Sequence, residues 1–156
     1  TFAPLMTNSF FHKRAYPEGA EESMTGFIAN VPLGLYRALE WVTRFKLPIM
    51  ITENGVEDAD DAMRPRYLVE HIHQVWRGIN YNWPIKGYFQ WSLVDNFEWE
   101  RGWTQRFGLW GLDLETQRRI RRTSVDLYAD ICKSNTISHE LVSKYTPELL
   151  PKMFPG

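Results

Sequence analysis

PIMITENGVEDADD, residues 48–61, decides how the rest of the chain is read. Ile49-Met50-Ile51 is apolar in both directions, so as a strand it needs cover on two faces, the condition of a parallel sheet between helices. The run then delivers one carboxylate, Glu53, turns on Asn54-Gly55 and becomes a string of acids. A carboxylate at the carboxyl end of such a strand stands where α/β folds place their chemistry.

Working outward, Pro32 suits a first helical turn, and Leu35, Leu39 and Val42 recur at helical spacing to about Phe45. Lys46-Leu47-Pro48 ends that helix and leads into a strand over 49–53. Pro65 starts a second helix with Leu68, Ile72, Val75, Trp76 and Ile79 on its apolar face, closed between Gly78 and Pro84. Lys86 to Leu93 is an aromatic-rich strand. Gly102, Gly108 and Gly111 mark a loop. A helix over about 124–133 carries Val125, Tyr128 and Ile131. The tail holds Pro147, Pro151 and Pro155, with a short helix expected over 139–145. Residues 1–30, with Pro4, Pro17, Gly19 and Gly26, read as a long loop. Strands alternating with helices imply βαβ units and a parallel sheet. Two strands do not make a covered sheet, however, and each keeps an open edge. The visible elements look like part of a larger sheet.

Composition narrows the function. The chain has 156 residues, a net charge of -1, 44% hydrophobic and 24% charged residues, as in ordinary globular proteins. There is no basic stripe for nucleic acid; Arg118, Arg119, Arg121 and Arg122 form a local cluster expected to be solvated. No stretch approaches the roughly 20 apolar residues of a membrane helix. The single cysteine, Cys132, excludes an internal disulfide and fits a reducing, cytoplasmic compartment. It sits near a helix end, where packing is expected rather than nucleophilic chemistry. Seven Trp help to bring the aromatic content to 15%, and such rings serve as core, as interface or as platforms for sugars.

Among groups that carry chemistry, His71 and His73 lie two apart on a helix and point in different directions, poor geometry for a metal. His12 and His139 fall in loop and tail. No GxGxxG joins a strand to a helix, so neither a phosphate loop nor a cofactor is indicated. Glu57, Asp58, Asp60 and Asp61 could bind a cation, but a solvated loop is the expected reading. The carboxylates remain. Glu53 ends one strand, and Asp95, Glu98 and Glu100 follow the other in WSLVDNFEWERGW. Neighbouring parallel strands bring both loops to one end of the sheet, and two carboxylates facing one pocket is the arrangement for glycoside hydrolysis. From spacing alone Glu53 pairs with Glu98. The alternative is that Glu98 and Glu100 are surface charges and Glu53 a structural acid.

ITENG (51–55), YFQWSLVDNFEW (88–99) and RFGL (106–109) resemble the family 1 glycoside hydrolases, the β-glucosidase family, and the likeness runs from about Thr25 to Asn135. The resemblance implies an α/β fold, the C-terminal portion of a (β/α)8 TIM barrel: strands 7 and 8 with their helices, plus helix 6, over residues 1–135. Residues 136–156 form a tail outside the pattern. It implies hydrolysis of β-glycosides with retention, Glu53 as nucleophile, and no metal or cofactor. It also revises the pairing, because the glutamate matching Glu98 binds sugar hydroxyls. Trp91 would stack on the sugar, Trp99 would hydrogen-bond through its indole N–H, and Phe107 would line the pocket. A carboxylate at Glu98 favours a neutral sugar over a 6-phosphosugar. One departure is large: the acid/base glutamate of the family lies in an Asn-Glu-Pro motif, and none occurs here. The Gln and His of strands 1 and 3 and the Asn-Tyr motif after strand 6 are missing too. The expected partners are therefore a β-glycoside and the remaining N-terminal part of the barrel, with this chain inactive alone. A non-catalytic sugar-binding remnant and a barrel-completing interaction piece are the other readings.

Overall fold

The structure is a computed structural model and describes residues 2–4 and 12–155. Its centre is two parallel strands with helices on one face. Helix α1 (Pro32–Thr43) opens with its proline in the first turn, where no N–H is needed. It ends near Lys46, whose φ is 54°. Strand β5 (Ile49–Asn54) follows, then α2 (Arg64–Asn80) and β6 (Ile85–Gln90). β5 and β6 pair in parallel, with Ile49 opposite Ile85, Met50 opposite Gly87, Ile51 opposite Tyr88 and Asn54 opposite Gln90. Two register shifts accommodate one extra residue first on β6, then on β5.

The alternation of side chains decides which face is covered. Ile49, Ile51 and Ile85 point to the helices and form a buried cluster with Leu39 and Val75, edged by Leu35, Val42, Trp83 and Tyr88. Each such side chain contributes about 1.5–3 kcal/mol by leaving water. Gly78 lets α2 lie directly on the start of β6, since a Cβ there would come within 2.6 Å of the Trp83 ring and 2.8 Å of Ile85 Cδ1. The opposite face, with Met50 and Phe89, is 49% and 58% exposed. The helices therefore cover one face of a strand pair whose sequence asks for two.

After β6 the chain returns as a hairpin. β7 (Trp110–Leu112) and β8 (Arg119–Arg121) pair antiparallel, and Val94 bridges to Trp110. The expected loop around Gly108 and Gly111 thus contains a ladder too short to leave an alternating pattern. Residues 1–30 likewise hold two short antiparallel ladders: β1 (Phe2–Pro4) with β2 (His12–Arg14), and β3 (Glu21–Glu22) with β4 (Ala29–Asn30). The part of the expected loop at residues 1 and 5–11 lies outside the described residues.

Helix α3 (Thr123–Ser134) stops at Asn135, which takes the left-handed conformation that closes helices. Its buried stripe is Ser124, Leu127 and Ile131. Cys132, one residue past Ile131, is turned off that stripe and is exposed, contrary to the packing expected of it. α4 (His139–Tyr145) begins on a Ser138 side chain that accepts the Leu141 N–H at 3.1 Å. α5 (Leu150–Met153) follows a 3-10 turn. Leu141, Val142 and Leu149 share one buried cluster with Leu68, Val69, Leu127 and Ile131, so the tail packs into the same core as α2 and α3. Lys152 reaches Glu70 at 2.5 Å, and Glu70 also accepts from Asn30 at 2.6 Å. No helix among the described residues is long and apolar enough to cross a membrane.

Candidate active site

Glu53 stands one residue before the end of β5, exposed, with no side-chain hydrogen bond among the described residues. Its neighbour Asn54 is clamped instead. Asn54 Nδ2 donates to the Tyr67 hydroxyl at 3.2 Å, its Oδ1 accepts from the Tyr88 hydroxyl at 2.9 Å, and its carbonyl accepts the Trp91 N–H at 2.9 Å. The residue beside Glu53 is thereby tied to α2 and to β6 at once. Burial pushes the hydroxyls of Tyr67 and Tyr88 well above their usual range, so both keep their protons at any working pH.

Under Tyr67 lies His71, ring on ring at 3.7 Å, its Nδ1 donating to the Tyr67 carbonyl at 2.9 Å. Burial pushes this imidazole down to about 4 from 6.5. Folded His71 is therefore neutral where the unfolded chain takes up a proton. The stability it supports is complete above pH 6.5 and is lost as pH falls toward about 4, an effect of about 3 kcal/mol. Urea midpoints at pH 7.5, 5.5 and 4.5 should fall with pH, and His71→Phe should flatten that fall; an unchanged slope in the variant contradicts the assignment. His73 faces elsewhere, with Nδ1 2.8 Å from Met153 Sδ, as the two-residue spacing requires.

Trp91 follows β6 directly. Gly55 permits this, because a Cβ there would lie 1.7 Å from the Trp91 carbonyl oxygen. Backbone cannot yield that far, so Gly55→Ala should displace Trp91 and break the bond from the Trp91 N–H to the Asn54 carbonyl, speeding exchange of that amide at least ~10-fold. An unchanged exchange rate would count against this. Beyond Trp91, Ser92 and Leu93 run beside residues 107–110: Ser92 N–H donates to the Phe107 carbonyl at 3.1 Å, and Trp110 N–H to the Leu93 carbonyl at 2.9 Å. Glu98 is half-buried, and Asn96 Nδ2 donates to its Oε2 at 2.8 Å. Trp99 is 81% exposed; Phe107 is buried, edge-on to Phe27 at 6.3 Å. Glu53, Trp91, Glu98, Trp99 and Phe107 all lie at or beyond the carboxyl ends of two neighbouring parallel strands.

The residues that hold these loops are visible in the sequence, but nothing there gives them that role. Asp95 is buried and gathers the N–H groups of Gly108 (2.9 Å) and Leu112 (3.1 Å), both terminal nitrogens of Arg122 (2.9 and 3.2 Å) and Arg106 (3.4 Å). Arg122 also donates to the carbonyls of Gly108 and Ala59. Its side chain is only 10% exposed, so the arginine cluster is not uniformly solvated as expected, whereas Arg119 and Arg121 are exposed. The acidic loop is corrected more strongly. Glu57 and Asp58 are buried, and only Asp60 of the four acids is exposed. Asp58 accepts the N–H groups of Met63 and Arg64 at 2.9 and 2.7 Å and so starts α2. Asp61 pairs with the fully buried Arg64 and caps α3 through Ser124 N–H at 2.7 Å. These acids hold elements together; among the described residues, no group of three or more His, Cys, Asp and Glu could hold a metal.

The fold and this clustering define a sector of a (β/α)8 glycosidase barrel, its C-terminal portion. The chain belongs to glycosyl hydrolase family 1, whose profile matches residues 6–137. It is 45% identical over 111 residues to a beta-galactosidase of Sulfolobus acidocaldarius, covering 70% of this chain and 23% of that protein. With a 1,4-beta-D-glucan glucohydrolase of Thermotoga neapolitana the identity is 42% over 119 residues, or 69% and 27% of the two chains. Among solved structures, the beta-glycosidase from Pyrococcus horikoshii superposes with a TM-score of 0.79 at 34% identity, over 87% of this chain and 32% of that one. That from Thermosphaera aggregans gives 0.77 at 41% identity, over 81% and 26%. The chain thus spans about a quarter of the length of these curated relatives.

Proposed function

We propose that the chain carries the nucleophile side of a retaining β-glycosidase acting on neutral β-linked sugars such as glucosides. The observation that carries the reading is the position of Glu53 at the carboxyl end of β5, beside the parallel strand whose loop bears Trp91, Glu98, Trp99 and Phe107. Glu53 attacks the anomeric carbon and displaces the aglycone, forming a glycosyl-enzyme. A second carboxyl group protonates the departing oxygen, then takes a proton from the water that releases the sugar. Retention requires the two carboxyl groups about 5–5.5 Å apart. The second group belongs to the rest of the barrel. Trp91 forms a stacking wall, Glu98 accepts hydrogen bonds from sugar hydroxyls, Trp99 donates its indole N–H, and Phe107 closes the apolar side. Residues 136–153 serve as a brace on this sector.

The test is mechanism-based labelling. A 2-fluoro-glucoside with an activated leaving group needs little help from an acid, so it isolates the attack step. An adduct mapped to Glu53 by mass spectrometry in the complete barrel supports the reading. Labelling at another carboxylate, with Glu53 free, sinks it. The 156-residue chain by itself should show no turnover of an aryl β-glucoside above buffer.

A further inference from the structure

We propose that Glu57, which the glycosidase reading gives no part, is a positioning residue that sets the place of Phe107 in the sugar pocket. The proposal rests on Phe107 being a pocket wall.

Glu57 lies four residues beyond Glu53 and is 2% exposed. Its Oε1 gathers three donors from one segment: the hydroxyls of Ser23 and Thr25, the latter at 2.7 Å, and the Phe27 N–H at 3.2 Å. Ser23 Oγ in turn accepts the Ile28 N–H at 3.1 Å, and the Tyr16 hydroxyl donates to the Phe27 carbonyl at 2.6 Å. Residues 23–28 are thus folded around one carboxylate oxygen.

The same segment reaches the stretch of chain before β7 that carries Phe107. Thr25 Oγ1 is 2.9 Å from the Gln105 side-chain oxygen, while its one proton is directed to Glu57. Turning the Gln105 amide by half a rotation places its NH2 there, so that Gln105 donates to Thr25 and Thr25 to Glu57. One residue along, Asp58 N–H donates to the Arg106 carbonyl at 2.9 Å. The Phe27 ring then meets Phe107 edge-on. Glu57 therefore fixes three segments relative to one another: the turn after Glu53, the 23–28 segment, and residues 105–107.

The other oxygen of Glu57, Oε2, is buried and has no hydrogen-bond partner among the described residues. An apolar side chain would avoid that desolvation, so the carboxylate is explained by the donors on Oε1 and not by filling space. What the site needs is an acceptor oxygen at that point, and a carboxamide supplies one.

The test compares Glu57→Gln with Glu57→Ala in the chain joined to the rest of its barrel, using an aryl β-glucoside. Glu57→Ala should raise KM ~10-fold with kcat within ~3-fold, the pattern for lost binding that is equal in ground and transition states. Glu57→Gln should restore both constants to within ~3-fold of the parent. A residue that only stabilises the fold gives a different pattern: apparent kcat falls with the folded fraction and KM stays fixed. That result overturns the proposal, as does failure of glutamine to rescue. If the alanine variant does not fold, Thr25→Val and Ser23→Ala each remove one donor, and unchanged KM in both overturns it as well. Hydrogen exchange provides a readout independent of catalysis. The Phe27 and Asp58 amides should exchange at least ~10-fold faster in Glu57→Ala and at parental rates in Glu57→Gln. Turnover that survives Glu53→Gln defeats the assignment of Glu53 as nucleophile alone; exchange that ignores Glu57→Ala defeats this one.

Discussion

Glu53→Gln, in the complete barrel, is expected to lower kcat for an aryl β-glucoside by ~10⁴-fold or more, the scale of losing a nucleophile that works as a unit with its proton-transfer partner. The substitution is nearly isosteric, and Glu53 makes no side-chain hydrogen bond among the described residues, so the fold loses nothing. Asn54, Tyr67 and Tyr88 keep their mutual bonds because none of them touches the altered carboxyl. Sugar affinity, measured with a neutral inhibitor, should change little, since the groups proposed to supply it are Trp91, Glu98, Trp99 and Phe107. Full activity in Glu53→Gln would move the nucleophile elsewhere and undo the reading. A small nucleophile such as azide offers a further check. With an activated substrate it should restore turnover to a Glu53→Ala variant by occupying the vacated space and attacking in the carboxylate's stead.

The second large effect concerns stability. Asp95→Ala should cost about 3–5 kcal/mol, the range for removing one partner of a buried ion pair. The loss leaves Arg122, whose side chain is 10% exposed, without its carboxylate, and the N–H groups of Gly108 and Leu112 without an acceptor. Asp95→Asn should cost less, because the amide oxygen still accepts one N–H while the charge is gone. Denaturant unfolding measures both, and the loop carrying Glu98 should loosen first. A loss below about 1 kcal/mol for alanine would mean that Arg122 and Arg106 find other partners, the outcome typical of surface pairs.

The main elements were legible because their signals are local. Pro32 and Pro65 mark helix starts, the 3.6-residue spacing of Leu35, Leu39 and Val42 marks a buried stripe, and Ile49-Met50-Ile51 marks a central strand. The helix expected to begin at Pro65 begins at Arg64, and the strand expected over 86–93 runs from Ile85 to Gln90. What stayed hidden depends on distant pairings. β7 and β8 are three residues each, and RIR on β8 is exposed throughout, so no alternation betrays it. The acids of the loop after β5 look like solvated residues in composition. Asp58 is buried because two N–H groups of the next helix need an acceptor, and Asp61 because it caps a helix that begins 62 residues later. Arg122 and Asp95 meet across 27 positions, with nothing in either neighbourhood to announce the pair. The candidate site divides in the same way: the residues proposed to face the sugar lie in contiguous motifs, whereas the groups that hold those motifs in place are scattered.

The half-covered strand pair has a practical consequence. Met50 and Phe89 face solvent on its uncovered side. Each strand of the two-stranded pair also keeps an open edge, and such an edge accepts a strand from a second molecule. For the 156-residue chain kept by itself, protein concentration rather than temperature will therefore set the usable lifetime of a preparation. Light scattering should rise with concentration at constant temperature, and co-expression with the rest of the barrel should suppress it more effectively than any change of buffer.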